Sequence, residues 1–93
     1  MQEIRAFRVD KGSVRIWWLG QNGCIFKTSE GTLLSTDMYL SNHCAHIYHD
    51  AGVDLNRRVP VLIQPQELTV DIYACTHNHL DHTDPVTTGG LRN

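Results

Sequence analysis

His77-Asn78-His79-Leu80-Asp81-His82 puts four potential metal ligands within six residues. The run follows directly on Asp71–Thr76 (DIYACT), a short apolar stretch that the sequence predicts as a buried strand. In extended backbone, residues two apart point the same way, so His77 and His79 can converge on one cation. A turn at Leu80 sends Asp81 and His82 toward a neighbouring position. Imidazole together with carboxylate suits zinc, iron or manganese rather than calcium or magnesium. The plain alternative is a histidine-rich surface loop.

The other three of the six histidines, His43, His46 and His49, recur every third residue with Cys44 beside them. On a helix such neighbours share a face, so a pair could chelate a metal or line a substrate mouth. No strand or turn fixes their geometry, and solvated histidines on a mobile segment are expected. Arg57-Arg58 is a compact cationic pair on a predicted loop, which reads as surface charge unless the substrate is anionic. The three cysteines are far apart, odd in number and lack a Cys-x-x-Cys pair, which argues against a disulfide framework. Cys24 and Cys75 are expected to pack as small apolar residues.

These groups need elements to position them. Ser13–Leu19 alternates β-branched and aromatic residues and predicts a strand. Trp17 and Trp18 then point to opposite faces, so one packs in the core and the other needs a covering partner. Gly20-Gln21-Asn22-Gly23 is a turn, and Cys24–Thr28 with Thr32–Asp37 predicts a hairpin through Ser29-Glu30-Gly31. A short helix capped by Ser41 or Asn42 and ending near Gly52 is predicted next, then an extended connection over Val59–Gln66. Asp84-Pro85 announces a helix start, but Thr87-Thr88-Gly89-Gly90 is among the poorest runs for continuing one.

Thr76-His77-Asn78-His79-Leu80-Asp81-His82 resembles the His-x-His-x-Asp-His signature of the metallo-β-lactamase fold superfamily. Trp17-Trp18-Leu19-Gly20, Ile25-Phe26-Lys27-Thr28 with Gly31-Thr32, the Asp37 strand end, Ala51-Gly52-Val53 and Val59-Pro60 through Pro65 are similar to the L-ascorbate-6-phosphate lactonase group. The resemblance runs from Val14 to Pro85. It implies an α+β fold, the N-terminal portion of an αββα sandwich with mostly antiparallel strands and the metal loop after a buried strand. It also implies a metal-dependent hydrolase opening a sugar-acid lactone phosphate such as L-ascorbate 6-phosphate. His77 and His79 would bind one metal position and Asp81 and His82 a second, with one or two ions of manganese or zinc. Asp37 would orient a ligating imidazole, and Asp81 would accept the proton of the attacking water. Arg57 and Arg58 would anchor the phosphate. Another hydrolase of the same fold, a phosphodiesterase, nuclease or thioesterase, is the alternative, as is a non-catalytic metal-binding fragment.

The chain has 93 residues, 41% hydrophobic, which allows one small unit and no second domain. The superfamily completes its sites with a third histidine, a bridging aspartate and a final histidine downstream of the first motif. Residues 1–93 are therefore expected to be a partial domain that lacks its C-terminal half and is inactive alone. A formal net charge of −2 without a basic stripe argues against nucleic acid and anionic membranes as partners. No apolar run approaches a membrane span, and the charged start Met1-Gln2-Glu3-Ile4-Arg5 lacks a signal's apolar core. A cytoplasmic protein is expected, with a small-molecule substrate, forming homo-oligomers through unfinished sheet edges.

Overall fold

Alternating β-formers around two glycine-containing turns build the sheet. In the computed structural model, which describes residues 1–91, β1 (Val14–Trp18), β2 (Cys24–Thr28), β3 (Leu33–Thr36) and β4 (Ile72–Ala74) lie in the order β1-β2-β3-β4. β1 pairs antiparallel with β2, and β2 with β3, with Trp18 opposite Cys24 and Cys24 opposite Thr36. β4 joins β3 in parallel, Leu34 opposite Ile72 and Thr36 opposite Ala74. A parallel neighbour requires a crossover. Here the crossover carries α2 (His43–Ile47) and two single 3₁₀ turns, His49–Ala51 and Pro65–Glu67. Two short helices lie outside it: α1 (Gln2–Ala6) and α3 (Pro85–Gly90). The fold is thus mixed α+β with an open, mostly antiparallel sheet. No helix among the described residues is long and apolar enough to cross a membrane.

One face of the sheet is covered. Ile25 and Leu33 pack with Ile4 of α1, Leu19, and Met38, Leu40, Ile63 and Leu68 of the crossover. Trp17 joins this side and meets Phe7 edge-on at 5.6 Å. Lys27 also enters this side, 6% exposed, and its Nζ donates to the carbonyls of Ile4, Arg5 and Phe7 at 2.8, 2.7 and 2.8 Å. Those are carbonyls at the end of α1, so a lysine inside the fold caps the N-terminal helix. The other face is open. Ile16, Phe26, Leu34 and Ile72 form one apolar row across all four strands, flanked by Val14 and Trp18. Trp18 is 56% exposed.

Four expectations need correction. The strand before the metal motif is not buried: β4 has three residues, pairs on one side only, and leaves Ile72 52% exposed. Its apolar composition reflects the open face of the sheet, not enclosure between layers. Cys75 beyond it is consequently exposed rather than packed, while Cys24 is half-buried. The helix announced at Asp84-Pro85 does continue, through Thr87-Thr88-Gly89-Gly90. Tertiary contact outweighs propensity there, since a Cβ on Gly90 would lie 2.6 Å from Pro65 Cβ and only glycine permits that approach. The helix predicted up to Gly52 breaks instead at Tyr48 into α2 and a 3₁₀ turn closed by Gly52 at φ 74°. Within the Val59–Gln66 connection, Pro65 opens the second 3₁₀ turn, where Gln64 N–H donates to Glu67 Oε1 at 3.1 Å.

Candidate metal centre

Asp37 lies at the centre of the arrangement. It ends β3 with φ 49°, a left-handed conformation that aspartate tolerates better than most residues. Its N–H still bonds Ala74 O at 3.0 Å, so the ladder to β4 persists while the chain turns away. The turn points the carboxylate, 6% exposed, at the start of the His77–His82 loop. Thr76 N–H donates to Asp37 Oδ1 at 2.7 Å, and Thr76 Oγ1 lies 3.1 and 3.0 Å from the two carboxylate oxygens. Burial pushes the Asp37 pKa up, but the bonds from Thr76 and the neighbouring His82 outweigh it, and the carboxyl titrates below its ordinary value.

Two imidazoles take their orientation from this carboxylate. His82 Nδ1 lies 3.3 Å from Asp37 Oδ2. The approach is off the line of a hydrogen bond, leaving Nδ1 with a charge contact and no aligned partner. A carboxylate at that distance favours the tautomer with the proton on Nδ1, which leaves the lone pair on Nε2. Asn22 Nδ2, 3.2 Å from His82 Nε2, donates to that lone pair. His77 Nδ1 lies 2.9 Å from Thr76 Oγ1. Thr76 has one hydroxyl proton, drawn to Asp37, so its oxygen accepts from His77 Nδ1–H. Asp37 thus reaches His82 by a charge contact and His77 through Thr76, with His82 Nε2 already facing the Asn22 amide.

The loop itself closes on short backbone contacts. His82 and Thr83 N–H donate to His79 O at 2.9 and 2.8 Å, and Thr83 Oγ1 donates to His77 O at 2.5 Å. This turn brings the three imidazoles together, with ring centroids 4.4 Å apart for His77–His79, 3.9 Å for His77–His82 and 6.5 Å for His79–His82. Asp81 Oδ1 stands 3.7 Å from His82 Nε2. Two acceptors facing each other are an arrangement that a proton or a cation stabilises. The donor types, imidazole and carboxylate, are those that suit a transition-metal ion. Among the described residues no three donors converge in metal-holding geometry as they stand, because the rings of His77 and His82 lie against each other. The His77 and His79 side chains are exposed, His77 tied at Nδ1 to Thr76.

The arginine pair divides. Arg57 turns inward: its guanidinium donates to Leu19 O at 3.1 Å, to Val59 O at 2.9 Å and to Tyr39 O, and lies 5.3 Å over the Tyr39 ring. Gly20 makes room for it, since a Cβ there would lie 2.5 Å from Arg57 Nη2. Every nitrogen of that fork already has a backbone partner, so the geometry gives Arg57 a structural task rather than a phosphate. Arg58 stays in solvent, 3.6 Å from Asp54. His46 and His49 are exposed, and His49 lies 3.1 Å from Asp50 through Nε2 and 3.1 Å from His46 O through Nδ1.

Of the residues expected from the sequence, the structure brings Asp37 to His82, Asp81 beside it, and the three imidazoles together. Thr76 and Asn22 carry no expected role from the sequence. Asn22 sits sixty residues from His82 and reaches it only through the turn after β1. Thr76 carried a local signal: a hydroxyl immediately before a ligating histidine can reach that residue's ring. No family model, curated protein or solved structure matches the chain.

Proposed function

We propose that the chain carries the metal-binding part of a metal-dependent hydrolase of the metallo-β-lactamase type, acting on a sugar-acid lactone phosphate such as L-ascorbate 6-phosphate. The observation that supports this most directly is the Asp37 arrangement, in which one buried carboxylate orients His82 directly and His77 through Thr76. An unspecialised histidine-rich loop has no use for it. In this reading His77 and His79 hold one manganese or zinc position, and Asp81 and His82 the other. The metal, when bound, polarises the scissile carbonyl and acidifies water. Asp81, half-buried beside His82, accepts the proton of the attacking water, and Asp37 keeps the His82 ring from turning as charge changes around it. Arg58 is the member of the arginine pair left to meet a phosphate.

The uncovered row Ile16, Phe26, Leu34 and Ile72 supports the finer architecture, one sheet of an αββα sandwich whose second sheet lies outside this segment. The three free cysteines support a reducing, cytoplasmic location. The test is hydrolysis by the native protein containing this segment, with manganese and with zinc, of L-ascorbate 6-phosphate and a phosphodiester side by side. Metal-dependent lactone opening is expected. Turnover of the phosphodiester alone would replace the substrate, and no metal-dependent turnover of either would end the hydrolase reading.

A further inference from the structure

The two edges of the sheet are unlike. β4 is three residues long, whereas β1 runs for five and closes the sheet on the other side. Leu19 N–H bonds Gly23 O at 2.8 Å, and partners alternate along an antiparallel pair, so Arg15 and Trp17 direct their N–H and C=O groups to β2. Those of Val14, Ile16 and Trp18 point away from the sheet. Among the described residues no turn or helix supplies a hydrogen-bond partner for these six outward groups. The three side chains stand on the open face, each more than half exposed.

A free strand edge is a template for another strand, and proteins ordinarily blunt it with lysine or proline on the edge or with a bulge. β1 has none of these. Its sequence is VRIWW, and it pairs with β2 residue for residue, from Val14 opposite Thr28 to Trp18 opposite Cys24. Its one charge is drawn aside, since the Arg15 guanidinium lies 4.6 Å over the Phe7 ring and 5.6 Å over the Trp17 ring. The edge is regular, apolar and unguarded.

We infer that β1 pairs with the β1 strand of a second copy of this chain, antiparallel and centred on Ile16. The strand itself selects this register. With Ile16 opposite the partner's Ile16, Val14 faces the partner's Trp18 and Trp18 the partner's Val14, and every outward N–H and C=O finds a partner. A slip of two residues either way brings Gly12 or Gly20 opposite the strand, and their φ values of 84° and 94° lie outside strand geometry. The centred register also sets Arg15 opposite the partner's Trp17, which gives the guanidinium a further aromatic face. The slip that brings in Gly12 sets Arg15 against the partner's Arg15, and like charges directly opposite are destabilising. The hydrogen bonds alone suit any strand; the self-complementarity about Ile16 and the Arg15–Trp17 pairing select a second copy. The two-fold axis stands normal to the sheet, so the apolar row continues from Ile16 into the partner's Ile16. This pairing uses none of the candidate metal ligands, and it leaves the open face uncovered for the second sheet of the proposed sandwich.

Amide hydrogen exchange of the 93-residue chain, followed residue by residue at rising concentration, tests the pairing. The Arg15 and Trp17 amides are protected by β2 at every concentration, whereas those of Val14, Ile16 and Trp18 gain protection only as copies pair. At ~10 times the dissociation constant their exchange should slow about tenfold. In a mixture of differently labelled chains, Arg15 Hα should lie against the partner's Trp17 Hα. Ile16→Pro removes the central N–H on the outward side, where an edge strand tolerates proline. It should keep the Arg15 and Trp17 protection and weaken self-association in sedimentation about tenfold or more, the scale of two lost hydrogen bonds. Exchange at Val14, Ile16 and Trp18 that ignores concentration would overturn the inference. So would association with these three amides still unprotected, the signature of stacked open faces, or contact between Arg15 Hα and the partner's Arg15 Hα. A folded Ile16→Pro variant that associates like wild type would overturn it as well, and the wild-type exchange decides alone where that variant does not fold.

Discussion

Asp37 is the side chain on which the proposed metal centre turns, and its contacts are with Thr76 and His82. Its part is to fix two imidazole tautomers, and Thr76 is the relay to one of them. Thr76→Val should therefore weaken zinc binding by about tenfold, the usual scale for losing an orienting partner, whereas Thr76→Ser should retain it. Isothermal titration of the two variants makes the comparison, and equal affinities would show that the hydroxyl is incidental. Asp37 also carries a pH signature. Its folded pKa is depressed, so its contribution to stability is present above the unfolded value of about 3.9 and is lost as pH falls through the folded value. Urea melts between pH 6 and pH 2 should show wild type more stable than Asp37→Asn above about pH 4, with the gap closing in acid. A gap that widens in acid would reverse the sign of the argument. The candidate ligands could be read from the sequence because they fall within six residues. Asp37 could be anticipated as a strand end near the motif. Asn22 could not, because its contact with His82 exists only after β1 and the loop are assembled.

Among the elements, α3 is the instructive case. Local propensity stops it at Gly89-Gly90, yet it forms, because Asp84 caps it and Gly90 lets it press against Pro65. The three sequential strands and their hairpin were readable, since alternation and turn residues are local signals. The character of β4 was not: an apolar run reads the same whether it is sandwiched between layers or lies on an open face. Nor was the inward turn of Arg57, whose carbonyl partners come from three separate segments. Asp84 joins α2, the Tyr39–Ser41 strand exit and α3, so Asp84→Ala should cost about 2–4 kcal/mol, combining a lost cap with unsatisfied buried hydroxyls. Chemical denaturation measures it, and amide exchange should rise first in α3 and α2. A loss under 1 kcal/mol would mean that α2 and α3 are held by something else.

At the scale of the whole molecule, the open face dominates. Four apolar side chains in a row across a sheet favour association with another surface. Ile16, 54% exposed in that row, can be changed with little effect on the covered core. Sedimentation at rising concentration should show wild type associating and Ile16→Lys remaining monomeric. Indistinguishable behaviour would mean that the row is not the contact. The same view holds that the segment supplies part of a metal centre, with one cluster engaged and the other not. That claim is met most directly by calorimetric titration of the 93-residue chain with zinc and manganese, comparing wild type, His79→Ala and His46→Ala. A single weak site is expected, weakened tenfold or more by His79→Ala, in keeping with the loss of a direct ligand, and unchanged by His46→Ala. Absence of binding, two tight sites, or equal loss from both substitutions would contradict it.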